Sequence, residues 1–365
     1  MRIVRRPVQF LGRIVPSYGL IVREDFPARD VGAHLDQPAS RTTLTTTLGD
    51  HQSWSTEMPR TSPDVSRRTF LAMLGAASAL GPRFAGAAPG PILKKAIPST
   101  GEQVPVIGMG SWITFNVGWD QDLRVQRLQV LQTFFDRGGG VIDSSPMYGS
   151  SEAVIGYCLA RLDETQTLFS ATKVWTPLQM LGAGQMADSR ALWGVERFDL
   201  MQIHNMLNWE GHLETLLEDK GDDRIRYIGI TTSHGRRHDA FERAMAEQPL
   251  DFVQFTYNIL DRQAERRLLP LAAERGLAVL ANRPFRRKQL FRLFERHPLP
   301  GWAGEFDCAN WAQFFLKFVV SHPAVTCAIP ATSRVDHMQE NMGALYGRLP
   351  DAALRERMIR YVESL

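Results

Sequence analysis

From residue 94 onward, short apolar runs alternate with longer amphipathic stretches, and that alternation restricts the chain to few architectures. The runs fall at residues 104–108, 140–144, 168–173, 200–204, 225–231, 252–257, 277–282 and 325–330. They are apolar almost throughout rather than apolar at every second position, as expected of parallel strands buried on both faces. Between them, apolar residues recur at helical spacing. In 123–137, Leu123, Val125, Leu128, Val130, Leu131, Phe134 and Phe135 fall largely on one face. Further helices are predicted over 152–162, 213–220, 238–246, 262–275, 310–321, 334–346 and 351–362. Eight alternations in about 260 residues predict a single-domain α/β protein, a (β/α)8 TIM barrel rather than an open sheet. Residues 94–110 read as a hairpin, turning at Thr100-Gly101-Glu102, that leads into the first strand.

Upstream the pattern differs. Residues 1–65 show no sustained period and are expected to be unstructured, with residues 1–57 untranslated if synthesis starts at Met58. Ser66-Arg67-Arg68-Thr69-Phe70-Leu71 then opens an apolar run to Leu80, closed by Ala85-Gly86-Ala87. Paired arginines, a short apolar region and an A-x-A site form the layout of a signal peptide. The S-R-R-x-F-L string resembles the twin-arginine type, which carries folded proteins. Residues 66–87 are therefore expected to direct export, to the periplasm, leaving 88–365 as the mature barrel with only transient membrane contact. No apolar stretch reaches the 18 residues of a transmembrane helix. A net charge of +3, with 22% charged and 44% hydrophobic residues, speaks against a nucleic-acid partner or disorder. The three cysteines are too scattered for a disulfide framework or zinc site and are expected to be inert thiols.

In such a barrel, chemistry gathers at the C-terminal strand ends. The second run ends at Asp143, with Tyr148 five residues on; the third ends at Lys173 and the fourth at His204. This ordered set resembles the catalytic tetrad of the aldo-keto reductase superfamily. Residues 104–112 (VPVIGMGSW), 140–152 (GVIDSSPMYGSSE), 226–233 (RYIGITTS), 254–258 (QFTYN) and 329–341 (IPATSRVDHMQEN) extend the resemblance over 94–365. It implies NAD(P)H-dependent reduction of an aldehyde or ketone, or the reverse oxidation. The residue chemistry agrees. Tyr148 is expected to be the acid, Lys173 to lower its pKa, Asp143 to hold Lys173 charged, and His204 to donate to the carbonyl oxygen.

The resemblance also implies the cofactor contacts. Asp143, Thr231, Thr232 and Gln254 fall at the nicotinamide, with Thr-Thr standing where the family usually has Ser-Asn. Arg283 and Arg286, in a basic loop, suit the pyrophosphate. Thr332, Ser333 and Arg334 match the adenosine-phosphate grip, and Gln339 and Asn341 the adenine side. NADPH is the expected cofactor, with NADH the alternative. Neither Gly108-Met109-Gly110 nor Gly138-Gly139-Gly140 has the strand–turn–helix context of a dinucleotide fingerprint. Trp112, Trp175 and Trp209 follow strand ends and are expected to wall a pocket for a small carbonyl substrate. His234 and His238 lack a third ligand, so no metal site is expected. A different role, as nucleotide-binding sensor or accessory subunit, would be signalled by a damaged tetrad; the intact one favours an enzyme. A redox partner to recharge an exported cofactor is left unidentified.

Overall fold

The computed structural model describes residues 90–233 and 237–365. The export signal read at 66–87 and the remainder of residues 1–89 lie outside the described residues, as do residues 234–236, which include His234. A two-stranded antiparallel hairpin comes first, β1 (Lys94–Ala96) and β2 (Gln103–Pro105), with Lys95 opposite Val104. Eight parallel strands follow, each beside its neighbour in the chain: β3 (Met109–Gly110), β4 (Val141–Asp143), β5 (Phe169–Val174), β6 (Phe198–Ile203), β7 (Ile225–Thr231), β8 (Phe252–Thr256), β9 (Ala278–Asn282) and β10 (Cys327–Ala328). The sheet closes where the Gly108 amide donates to the Ala328 carbonyl at 2.8 Å and the Ala328 amide to Val106 at 2.9 Å. The (β/α)8 barrel expected from the alternation is the observed fold.

Helices return the chain between strands: α1 (Gln121–Asp136), α2 (Ser151–Leu159), α3 (Gln179–Trp193), α4 (Trp209–Gly221), α5 (His238–Glu247), α6 (Leu268–Arg275), α7 (Gln289–Phe294), α8 (Trp311–Ser321), α9 (Val335–Gly343) and α10 (Ala352–Glu363). Side-chain caps start several of them. Asp120, Asn310 and Asp351 accept from the amides of Leu123, Gln313 and Leu354, satisfying donors that a helix start leaves without partners.

Three expectations need correction. The run 104–108 is only partly a barrel strand: Val104 and Pro105 belong to the hairpin, whereas Ile107 bridges Ala328 of β10 and leads into β3 at Met109. Between them the chain passes so close to β4 that a Cβ at Gly108 would lie 2.7 Å from the Val141 carbonyl. The helix expected over 262–275 breaks at Arg267 (φ −145°), because Pro270 belongs in a first turn, where its missing amide costs nothing. In the 325–330 run the strand itself is short, Cys327 and Ala328 standing opposite Leu280 and Ala281, with the flanking Thr326 and Ile329 amides donating to the Val279 and Ala281 carbonyls of β9. Two helices were not anticipated. α3 carries Gly182 and Gly184 and exposes Met180 and Leu181, which obscures its period, and α7 is only six residues long.

Inward-facing Val141, Phe169, Leu200, Tyr227, Phe252 and Cys327 fill the barrel, and Ile97 and Val104 of the hairpin join them. The hairpin thus plugs the N-terminal end and leaves the C-terminal end as the mouth. Each large apolar side chain buried this way contributes roughly 1.5–3 kcal/mol. Cys158, Cys308 and Cys327 are buried and free, and burial pushes the thiols of Cys158 and Cys308 up to about 12 and 11. Among the described residues, no helix is long and apolar enough to cross a membrane, and no cluster of three or more metal-ligating side chains occurs.

Candidate active site

Three strand ends bring the predicted tetrad together at the mouth. Asp143 ends β4, Lys173 is the penultimate residue of β5, and His204 follows β6. Tyr148 closes a one-turn 3-10 helix, Pro146–Tyr148, that Ser145 caps by accepting from the Met147 amide. Gly149 follows at φ +63°, where a Cβ would lie 2.5 Å from Asn116 Oδ1; only glycine makes this turn without strain.

Lys173 is wholly buried. Its Nζ donates to Asp143 Oδ2 at 2.6 Å and to the Ser144 carbonyl at 2.7 Å. The same ammonium stands 5.1 Å from the centre of the Tyr148 ring, and the Tyr148 and His204 rings meet edge to face at 5.6 Å. Burial by itself would discharge the lysine. The Asp143 carboxylate and Tyr148 outweigh it, and the Lys173 pKa is raised. A buried ammonium is retained only with such a partner.

Tyr148 corrects one expectation. Burial is the largest influence on its phenol and raises the pKa, while the charge of Lys173 pulls it down; the net shift is upward. The lysine tempers the effect of burial rather than making the phenol more acidic than in water. A phenol is protonated at neutral pH even at its ordinary value of about 10, and the upward shift leaves it in that state, the one required of a proton donor.

Gln202, Glu152 and Ser145 were not singled out from sequence. Gln202 and Gln254 each donate through Nε2 to Asp143 Oδ1 at 2.9 Å, so the carboxylate that holds Lys173 is fixed by three donors. Gln202 lies two residues before His204 in an apolar run. An isolated polar side chain on the inward face was the available signal. Glu152, also buried, accepts from Thr172 Oγ1 at 2.6 Å, Ser189 Oγ at 3.0 Å and Trp193 Nε1 at 3.2 Å, locking α2 and α3 to the strand that carries Lys173. Ser145 Oγ lies 2.7 Å from His204 Nδ1.

The predicted cofactor residues divide into groups. Thr231, Thr232 and Gln254 sit together at the ends of β7 and β8. The Thr231 hydroxyl accepts from the Asn205 amide at 2.9 Å, and Gln254 is tied to Asp143 and Gln202. Asn282 joins this layer through the Thr232 carbonyl and Gln254 Oε1. Arg283 and Arg286 line a cavity of about 760 Å3 beyond the ends of β7, β8 and β9, with Arg287 and Arg292. Arg286, Arg287 and Lys288 form a left-handed turn with φ of 48°, 53° and 67°, a conformation costly for side chains with a Cβ and found mostly where a site needs it. Thr332, Ser333, Arg334, Gln339 and Asn341 lie apart from this cavity, at the start and on the body of α9. Thr332 and Asn341 are buried, whereas Arg334 is exposed and forks onto Asp336. Trp112, Trp175 and Trp209 are each half-buried after β3, β5 and β6; Arg287 stacks on Trp112 at 4.5 Å, while the Trp175 backbone is gripped by Gln185.

A family model described as the aldo/keto reductase family matches residues 106–301. Among curated relatives, aldo-keto reductase YhdN of Bacillus subtilis is 26% identical over 199 residues, 50% of this chain and 59% of that protein. The NADH-specific methylglyoxal reductase of Escherichia coli is 27% identical over 233 residues, 54% of this chain and 68% of the relative. Among solved structures, the thermostable aldo-keto reductase Tm1743 superposes with a TM-score of 0.61 at 26% identity, covering 75% of this chain and 99% of that one. The holo form of aldo-keto reductase AKR11C1 from Bacillus halodurans gives 0.62 at 21% identity, over 74% and 96%, a likeness of fold.

Proposed function

The chain belongs to the aldo/keto reductase family and is an NAD(P)H-dependent oxidoreductase of carbonyl compounds, and from that premise we propose that Tyr148 supplies the proton when an aldehyde or ketone is reduced. The observation that carries this is the buried Lys173–Asp143 pair at 2.6 Å with its ammonium beneath the Tyr148 ring. A reduced nicotinamide, when bound, supplies the hydride. The phenol gives its proton to the developing alkoxide, and Lys173 stabilises the phenolate left behind. Asp143, fixed by Gln202 and Gln254, keeps Lys173 charged throughout. His204 donates to the same oxygen as charge builds on it. Tyr148→Phe should lower turnover by about two orders of magnitude or more, the range for losing an acid catalyst, while NADPH still binds in a fluorescence titration. Near-normal turnover would remove Tyr148 from its role.

The residues present fit a dinucleotide. The cavity lined by Arg283, Arg286, Arg287 and Arg292 offers the cationic lining that a pyrophosphate needs. NADPH is the first choice, with Arg334 near its extra phosphate; NADH is the alternative, and the Escherichia coli relative is named as NADH-specific. The half-buried Trp112, Trp175 and Trp209 suit an apolar wall for the substrate.

The enzyme is further proposed to be exported. The order Arg67-Arg68, apolar run, Ala85-Gly86-Ala87 supports a twin-arginine-type signal and a periplasmic location. Such a route carries a folded protein, so the cofactor would be loaded before crossing. With Arg67→Lys and Arg68→Lys together, the precursor should stay in the cytoplasm on fractionation; unchanged export would rule the route out.

A further inference from the structure

The reading of His204 as the group that meets the carbonyl oxygen raises a question of protons. A neutral imidazole donates from one nitrogen and accepts at the other, so the wrong tautomer would turn a lone pair toward the substrate oxygen. We propose that Ser145 is a positioning residue that holds His204 in the neutral tautomer with its proton on Nε2. The inference rests on the assigned reaction, and its physical basis is a count of one hydroxyl proton.

Ser145 Oγ is 2.7 Å from His204 Nδ1, and both residues are buried. The same oxygen caps the 3-10 helix of Tyr148 by accepting from the Met147 amide at 3.2 Å. Among the described residues, these two are the only partners of that hydroxyl. Its proton therefore goes to Nδ1, which must then be bare. With a proton on Nδ1, the oxygen would face two donors and its own hydrogen would be buried without an acceptor, an arrangement folded proteins avoid. The remaining imidazole proton sits on Nε2. Ser145 thus serves two members of the tetrad at once: it seats the turn that presents Tyr148 and fixes which nitrogen of His204 donates.

The test is a long-range proton–nitrogen correlation spectrum of the full chain labelled with 15N-histidine, near neutral pH. His204 is assigned among the nine histidines by its loss in His204→Gln. The expected spectrum shows a bare Nδ1 and a protonated Nε2. In Ser145→Ala the pattern should move toward the averaged signals of mixed tautomers. Turnover should fall about three- to tenfold, as for loss of one neutral hydrogen bond, with NADPH affinity unchanged. A proton on Nδ1 in the wild-type chain, or an unaltered His204 pattern in Ser145→Ala, would overturn the proposal. If Ser145→Ala fails to fold, the wild-type spectrum decides by itself. A bare Nδ1 in a wild-type chain that reduces no aldehyde or ketone would overturn the assigned reaction and leave the Ser145–His204 pairing standing.

Discussion

Three lysines, the buried Lys173 at the mouth of the barrel and, away from it, the buried Lys317 and the half-buried Lys95, are held by different partners. Lys173 at the mouth pairs with a carboxylate, and its pKa is raised. Lys95, on the hairpin that plugs the opposite end, donates to the carbonyls of Val320, His322 and Val325 at 2.6–2.8 Å. Lys317, on α8, donates to four carbonyls, those of Phe306, Asp307, Tyr346 and Arg348. For both, burial is the largest influence and the pKa is lowered, to about 8 for Lys95. Burial penalises all three charges alike; the partner decides the outcome. Carbonyl dipoles are enough to seat an ammonium and tie chain segments together. Only a full negative charge holds it firmly enough to influence a neighbouring phenol. The mouth uses its lysine for chemistry, and the floor and flank use theirs for architecture.

The largest expected effect crosses the two regions. Lys173→Met should lower turnover by about two orders of magnitude in a chain that still folds, because Asp143 loses its counter-ion but keeps Gln202 and Gln254 as donors. Lys317→Met should do the reverse. It strips four carbonyls of a charged donor, and a loss of at least about 3 kcal/mol is expected in urea unfolding. Turnover per folded molecule should stay within about twofold of wild type, since no catalytic group moves. An inactive but well-folded Lys317→Met, or an active Lys173→Met, would break the distinction.

Sequence reached the mouth more easily than the floor. Asp143, Lys173 and His204 each stand at the end of an apolar run and Tyr148 follows one by five residues, so topology brings them together. Lys317 sits in an aromatic-rich helix, where a lysine reads as a solvent-facing break in the pattern; its four acceptors come from 306–307 and 346–348, segments without a period. Gln202 and Ser145 were hidden differently. One polar residue inside a strand looks like part of the wall until the neighbours that share its face are known. The hairpin–strand boundary was misread because Val104 through Gly108 is continuously apolar, although a bend at Val106 divides the hairpin strand from the bridge of Ile107 to Ala328.

A smaller effect separates the two ends by pH. His322 packs against the hairpin lysine, its Nδ1 accepts from the Ala324 amide at 3.3 Å, and its ring meets Tyr257. Burial first, then the positive charges of Arg355 and Lys95, lower its pKa to about 4. The folded state therefore keeps His322 neutral, whereas the unfolded chain takes up the proton near pH 6.5. The unfolded state binds more protons between about pH 6.5 and 4, so stability is present above that window and is lost as pH falls through it. After allowance for partial exposure, about 1–2 kcal/mol should disappear between those values. In His322→Asn, which keeps an acceptor, urea midpoints at the two pH values should lie closer together. An unchanged acid sensitivity would assign the loss to other groups.

The smallest expected effect on the fold belongs to a cation in neither environment. Arg334 is exposed at the start of α9 and forks onto Asp336, with Nε 2.9 Å from Oδ1 and the second guanidinium nitrogen on Oδ2. A solvent-exposed pair of this kind contributes little to stability, so Arg334→Ala should melt with the wild type. Its geometry is that of a fork already shaped for two anionic oxygens, and a ribose phosphate offers the same target as a carboxylate. If the guanidinium turns from Asp336 to the extra phosphate of NADPH, Arg334→Ala should weaken NADPH about tenfold and leave NADH unaffected, as expected for one charge-assisted contact. Asp336→Asn should act the other way, because the competing carboxylate is gone while the fork remains. Fluorescence titrations of both variants with both cofactors separate the cases. Equal losses for NADPH and NADH in Arg334→Ala would place the arginine outside phosphate recognition and return the choice between the two cofactors to the cavity bounded by Arg283 and Arg286.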